Sequence, residues 1–79
     1  MTITELAVGQ CATVSGVGGD IRTAIRIMEL GVIPGSVVEM RGRSFGNLRL
    51  AVGSTRLALA AELARRVTVA PMSPAEAVR

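Results

Sequence analysis

Seventy-nine residues, 49% of them apolar, carry nine arginines and no lysine against six carboxylates, for a net charge of +3. A chain of this length makes one domain that buries roughly 60% of its unfolded surface, which leaves no room for a large catalytic pocket. One cysteine, Cys11, and no histidine exclude an internal disulfide framework and the usual zinc ligand sets, and with Phe45 as the sole aromatic residue neither a polyproline-reading groove nor a base-stacking platform can be built.

The arginines are scattered from Arg22 to Arg79, and only Arg41/Arg43 and Arg65/Arg66 form pairs. No block is dense enough for strong phosphate binding, so a nucleic-acid partner has no support in the charge pattern. The N-terminus has no basic leader region, and the longest apolar run, residues 57–61, is far too short to span a bilayer. A soluble, cytoplasmic protein is expected, in a reducing compartment.

In chain order, residues 3–10 hold scattered apolar positions and end in a turn at Gly9-Gln10. Residues 11–17 alternate, with Ala12, Val14 and Gly16 on one side, and are expected to form a strand. Gly18-Gly19-Asp20 breaks it, and Asp20 is a suitable N-cap for a helix. From Ile21 to Leu30 the residues Ile21, Ala24, Ile25 and Met28 recur at three- and four-residue spacing, opposite Arg22, Arg26 and Glu29, and predict an amphipathic helix over about residues 20–30. Ile27 falls about 100° off the centre of that stripe, and Leu30 lies further round.

The helix stops where the backbone turns twice. Gly31 follows the last periodic residue and suits a left-handed closing position; Pro34-Gly35 suits the central positions of a type II turn. Gly31, Pro34 and Gly35 are therefore read as structural residues of one corner. If Gly31 ends the helix in a Schellman manner, Ile27 and Val32 are the pair that makes its local apolar contact. The other reading makes Ile27, with Thr23 and Leu30, an exposed apolar spot for a partner protein.

Beyond the corner, residues 37–41 are rich in strand formers and lead through Gly42, Arg43 and Ser44 to a loop at Phe45-Gly46-Asn47. Residues 48–52 and 55–59 alternate on either side of Gly53-Ser54, a hairpin signal. Residues 60–66 permit a short second helix, and residues 67–69 return to a strand pattern. Pro71 and Pro74 close the fold, giving one domain over residues 1–70 and an expected flexible C-terminal tail over 71–79. About five short strands around one helix argue for a mainly β, partly open barrel.

Chemistry-bearing patterns are sparse. Residues 16–19 suggest a phosphate loop, but Ile21 stands where a dinucleotide fingerprint needs glycine, and the Lys-Ser/Thr pair of a P-loop is missing. Cys11, the methionines and the isolated carboxylates show no ligand-like spacing, so no metal site and no cofactor are expected. Without His or Lys, neither an activated nucleophile nor an acid–base couple can be assembled, and no catalytic residue is assigned. The chain reads as a binding or regulatory module rather than an enzyme.

The segment Arg26-Ile27-Met28-Glu29-Leu30-Gly31-Val32-Ile33-Pro34-Gly35 resembles the helix followed by Leu-Gly-hydrophobic-x-Pro-Gly of the FeoA proteins of bacterial ferrous-iron uptake. Leu6-x-x-Gly9-Gln10-x-Ala12-x-Val14 and Thr55-Arg56-Leu57-Ala58-Leu59 are similar to the family as well, and the likeness extends over about residues 5–70. One departure stands out: Phe45-Gly46-Asn47 replaces a longer loop usually written with Gly-Asp-Pro. The resemblance implies an SH3-like barrel and an accessory role toward FeoB, the membrane Fe(II) transporter with a GTP-binding domain. It further implies recruitment to the inner membrane face through FeoB. On this reading the helix and its corner dock on the cytosolic part of FeoB through Thr23, Ile27, Leu30, Gly31 and Val32. The alternative is an SH3-like regulatory module that binds nucleic acid or a transcriptional regulator, and a third reading is weak self-association through exposed strand edges.

Overall fold

Alternating apolar residues become strands, and the computed structural model, which describes residues 1–72, joins five of them into one antiparallel sheet of order β4-β3-β2-β1-β5. The strands are β1 (Cys11–Val17), β2 (Val37–Ser44), β3 (Asn47–Val52), β4 (Thr55–Ala60) and β5 (Val67–Pro71). Helix α1 (Ile21–Glu29) connects β1 to β2, and a single turn, α2 (Ala61–Ala64), connects β4 to β5. β4 and β5 stay unpaired with each other, so the sheet curls into a partly open barrel.

Two bulges supply the curl. One interrupts the β1–β5 pairing between Val14 and Gly16, and the other the β2–β3 pairing between Met40 and Gly42. An extra residue on one strand bends it and increases its twist, which an otherwise flat five-stranded sheet needs in order to wrap a core. At the second bulge Gly42 is buried beneath the Arg49 guanidinium, and a Cβ there would collide with it.

The interior is wholly aliphatic. Val14, Val38, Met40, Leu50, Leu59 and Val67 are each at most 1% exposed, and among the described residues no polar or charged side chain is buried. Two large members of this core, Ile3 and Leu6, come from the segment expected to be a mere lead-in. Residues Ile3–Glu5 form a 3-10 turn, with the Thr2 amide donating to Glu5 Oε2 at 2.6 Å. The Val69 amide donates to the Met1 carbonyl at 2.8 Å, which lays the segment along β5. So short a turn has no hydrophobic period; its one local signal is the Thr2-x-x-Glu5 capping box, of which the Glu5 bond is one arm.

Two boundaries differ from expectation. β2 runs on through Arg43 to Ser44, leaving Phe45-Gly46 as a two-residue hairpin turn between paired Ser44 and Asn47. β5 includes Pro71, opposite Ala12 on an edge strand, where the missing proline N–H breaks no ladder. Residues 73–79 of the expected tail lie outside the described residues.

The larger correction concerns α1. Ile21 is 76% and Ile25 46% exposed, whereas Ile27, off the sequence stripe, is completely buried in the core with Val32. The apolar stripe is divided: Ile21 and Ile25 face solvent, while Ala24 and Met28 are half-buried. A short helix is oriented by its two ends, and the corner after α1 brings Val32 into the core, which turns Ile27 inward.

Ile27→Ala should therefore destabilise the domain by about 2–5 kcal/mol, a large part of what a small domain has. Urea unfolding followed by circular dichroism would show this as a lower midpoint at unchanged slope.

Candidate functional site

The site begins at the N-terminus of α1. Asp20 Oδ1 accepts a hydrogen bond from the Thr23 amide at 2.8 Å, satisfying one of the helix's orphan donors. The hydrogen bonds from Thr23 hold the Asp20 carboxyl below its usual range, and the nearby Arg66 and Arg26 charges act in the same direction. Just upstream, the Gly18 amide donates to the Arg66 carbonyl at 2.8 Å, and the Arg66 side chain lies where a Cβ on Gly19 would be. The glycine-rich segment is thus packed against an arginine of its own chain and is a structural turn, not a phosphate cradle.

At the other end α1 closes tightly. The Leu30 amide donates to the Ile27 carbonyl at 3.1 Å and the Gly31 amide to the Met28 carbonyl at 2.9 Å. Gly31 has φ +101°, in the left-handed region. The type II turn follows: the Ser36 amide donates to the Ile33 carbonyl at 3.0 Å across Pro34-Gly35, and Gly35 has φ +94°. Ser36 Oγ donates to the Ile33 carbonyl at 2.6 Å and accepts from the Ile33 amide at 3.2 Å. The corner is then tied to the sheet on both sides of one residue. The Gly35 amide donates to the Val14 carbonyl and the Val14 amide to the Ser36 carbonyl, each at 2.8 Å.

These ends decide which of the expected contact residues reach solvent. Leu30, at 44% exposure, and Gly31 are exposed; Thr23 is half-buried; Ile27 and Val32 are at 0%. Ile27 and Val32 are therefore core residues under the corner, not a contact surface, and that part of the expected docking set is corrected. In their place the structure exposes Ile21, Ile25 and Ile33. Ile21 and Ile25 are one helical turn apart and share a face with half-buried Met28. The signal that would have found them was the amphipathic stripe itself, which carries no direction of its own.

A second feature lies at the β2–β3 hairpin. Phe45 is completely exposed and has φ +50°, followed by Gly46 at φ +77°. Left-handed backbone at a bulky residue costs on the order of 1–3 kcal/mol. Beneath the tip lies an open groove of about 410 Å³, floored by Leu48 and Ala61 and walled by Arg43 and Arg65. Arg43 Nη2 donates to the Thr4 carbonyl at 2.6 Å and to the Leu6 carbonyl at 2.8 Å. Among the described residues no three His, Cys, Asp or Glu side chains gather to hold a metal ion.

A family model described as the FeoA domain matches residues 1–71. Among solved structures, a zinc-complexed FeoA from Stenotrophomonas maltophilia, described as a prokaryotic SH3-domain protein, is 34% identical at a TM-score of 0.77, with 89% of each chain covered. An iron uptake regulatory protein, also a FeoA, is 25% identical at a TM-score of 0.83, covering 91% of this chain and 96% of its own. A manganese-dependent transcriptional repressor shares the fold at a TM-score of 0.84 and 17% identity, with 91% of this chain but 36% of the repressor covered. The partly open barrel is thus SH3-like. No protein with a curated description matches the sequence.

Two outcomes test the helix ends. Gly31→Ala should cost about 1–2 kcal/mol through left-handed strain alone, since an added Cβ meets nothing within 4 Å; chemical unfolding measures it. Asp20→Ala should lower the melting temperature at pH 7. A depressed folded-state pKa contributes stability that is present above the unfolded value of about 3.9 and is lost as pH falls through the lower folded value. The wild-type advantage should accordingly shrink in melts recorded at progressively more acidic pH, down to what the neutral carboxyl still contributes as a cap.

Proposed function

As the chain belongs to the FeoA domain family, we propose that it is a small accessory protein of bacterial ferrous-iron transport that binds the cytosolic part of FeoB and modulates it. The related Stenotrophomonas protein is described as a candidate activating factor of bacterial ferrous-iron transport. The observation that carries the reading is the unpartnered apolar face of α1, where Ile21 and Ile25 stand in water beside the rigid Gly31–Gly35 corner with exposed Leu30 and Ile33. Exposed aliphatic residues at helical spacing suit a partner that supplies a complementary apolar surface.

The role is one of binding rather than catalysis. The chain has no His or Lys, and its one cysteine is partly buried without a base beside it in sequence. No helix among the described residues is long and apolar enough to cross a membrane, so contact with the transporter is made from outside the bilayer. The likeness to the repressor extends to the fold alone, and the transporter reading is preferred to a regulatory module on nucleic acid.

Co-purification with FeoB from the same organism tests this. Wild-type protein should be captured, and Ile21→Asp/Ile25→Asp should lose at least about tenfold of that capture while unfolding within about 0.5 kcal/mol of wild type, as surface substitutions do. Absence of wild-type capture, or equal capture of the double variant, would refute it.

A further inference from the structure

The chain's one aromatic ring does no packing. Phe45 is fully exposed at the extremity of a two-residue turn, in a backbone conformation that Asn or Gly would adopt without strain. Neither the core nor the turn therefore explains a phenylalanine at this position.

Two arginines, Arg43 and Arg65, line the groove beneath the tip. Arg43 is fixed in place by its two bonds to the Thr4 and Leu6 carbonyls, made through Nη2 alone, so its remaining donors stay beside the groove. Arg65 lines the same groove, and its guanidinium has no hydrogen bond or ion pair among the described residues.

We propose that the β2–β3 hairpin tip is a reversible membrane-contacting element, with the Phe45 ring entering the headgroup layer of an anionic phospholipid bilayer and Arg43 and Arg65 meeting lipid phosphates. A convex tip with a fully exposed ring suits a soft interface, which closes around it, better than a protein partner, which would need a matching cavity. One ring and a few arginines give weak binding that depends on surface charge, as befits a protein that comes and goes. A single ring is no row of stacking platforms, which argues against a single-stranded nucleic acid. The inference stands apart from the FeoB reading, because its test contains no protein partner.

Flotation of the full chain with phosphatidylglycerol-containing vesicles, against pure phosphatidylcholine vesicles, is the measurement. Wild type should float with the anionic vesicles only and be released as salt rises. Phe45→Asn, which keeps the left-handed turn and should melt no lower than wild type, should bind about tenfold more weakly, since binding scales with the apolar area inserted. Arg65→Gln should bind about fivefold more weakly, the effect of one cation near such a surface. The proposal falls if Phe45→Asn floats like wild type, or if phosphatidylcholine alone suffices. It also falls if millimolar inorganic phosphate releases the protein at constant ionic strength, or if the chain binds a single-stranded DNA oligonucleotide but no vesicle.

Discussion

The two hydrogen bonds between Val14 and the Gly35-Ser36 backbone hold the rest of the molecule in place. β1 pairs with β5 from Ala12 to Val17 but with β2 only over Cys11 to Thr13, so at Val14 its β2-facing side has run out of ladder partners. Without the corner, the β2-facing amide and carbonyl of a fully buried valine would have no partner, at a cost of about 1–3 kcal/mol for each such group. Satisfying them places the end of the connection that contains α1, and with it the rotation of the helix. From that one placement follow the burial of Ile27 and Val32 and the exposure of Ile21 and Ile25.

The two ends of the barrel thus present different surfaces. Beside α1 the apolar side chains of Ile21, Ile25, Leu30 and Ile33 are exposed; at the β2–β3 hairpin one ring stands at the tip above a groove lined by Arg43 and Arg65. Both are rigidly mounted. α1 is held by the corner, and the hairpin by the Ala61 amide, which donates to the Gly46 carbonyl at 2.9 Å, and by Arg43 bound to the N-terminal turn. Position is supplied by backbone hydrogen bonds, which leaves the exposed side chains free to serve recognition.

Much of the fold was legible because alternation and turn residues agree locally. β1 and the β3–β4 hairpin fall where residues 11–17, 48–52 and 55–59 alternate, and the helix lies between Asp20 and Gly31 as capping chemistry requires. What was illegible is non-local. Which side of α1 meets the core depends on a bond to Val14, and hydrophobic period alone gives a stripe but no direction. Of the expected contact set, only Leu30 and Gly31 lie fully on the surface, while Ile27 and Val32 match the alternative pairing beneath the helix end. The N-terminal turn was hidden because Ile3 and Leu6 are buried through contacts with distant strands. The loop at Phe45-Gly46 was read in place, but its two-residue length was hidden because Phe-Gly is not a residue pair that announces a tight turn.

The wholly aliphatic interior has a further consequence. With no buried hydrogen-bonded or charged side chain to choose among packings, the core specifies volume but not register. Register must come from the turns and bulges, which act on the backbone before any side chain is chosen. Such a protein is free to drift in its core at nearly constant volume while its corners stay under constraint. Its family memory is therefore written in the path of the main chain more than in what fills it.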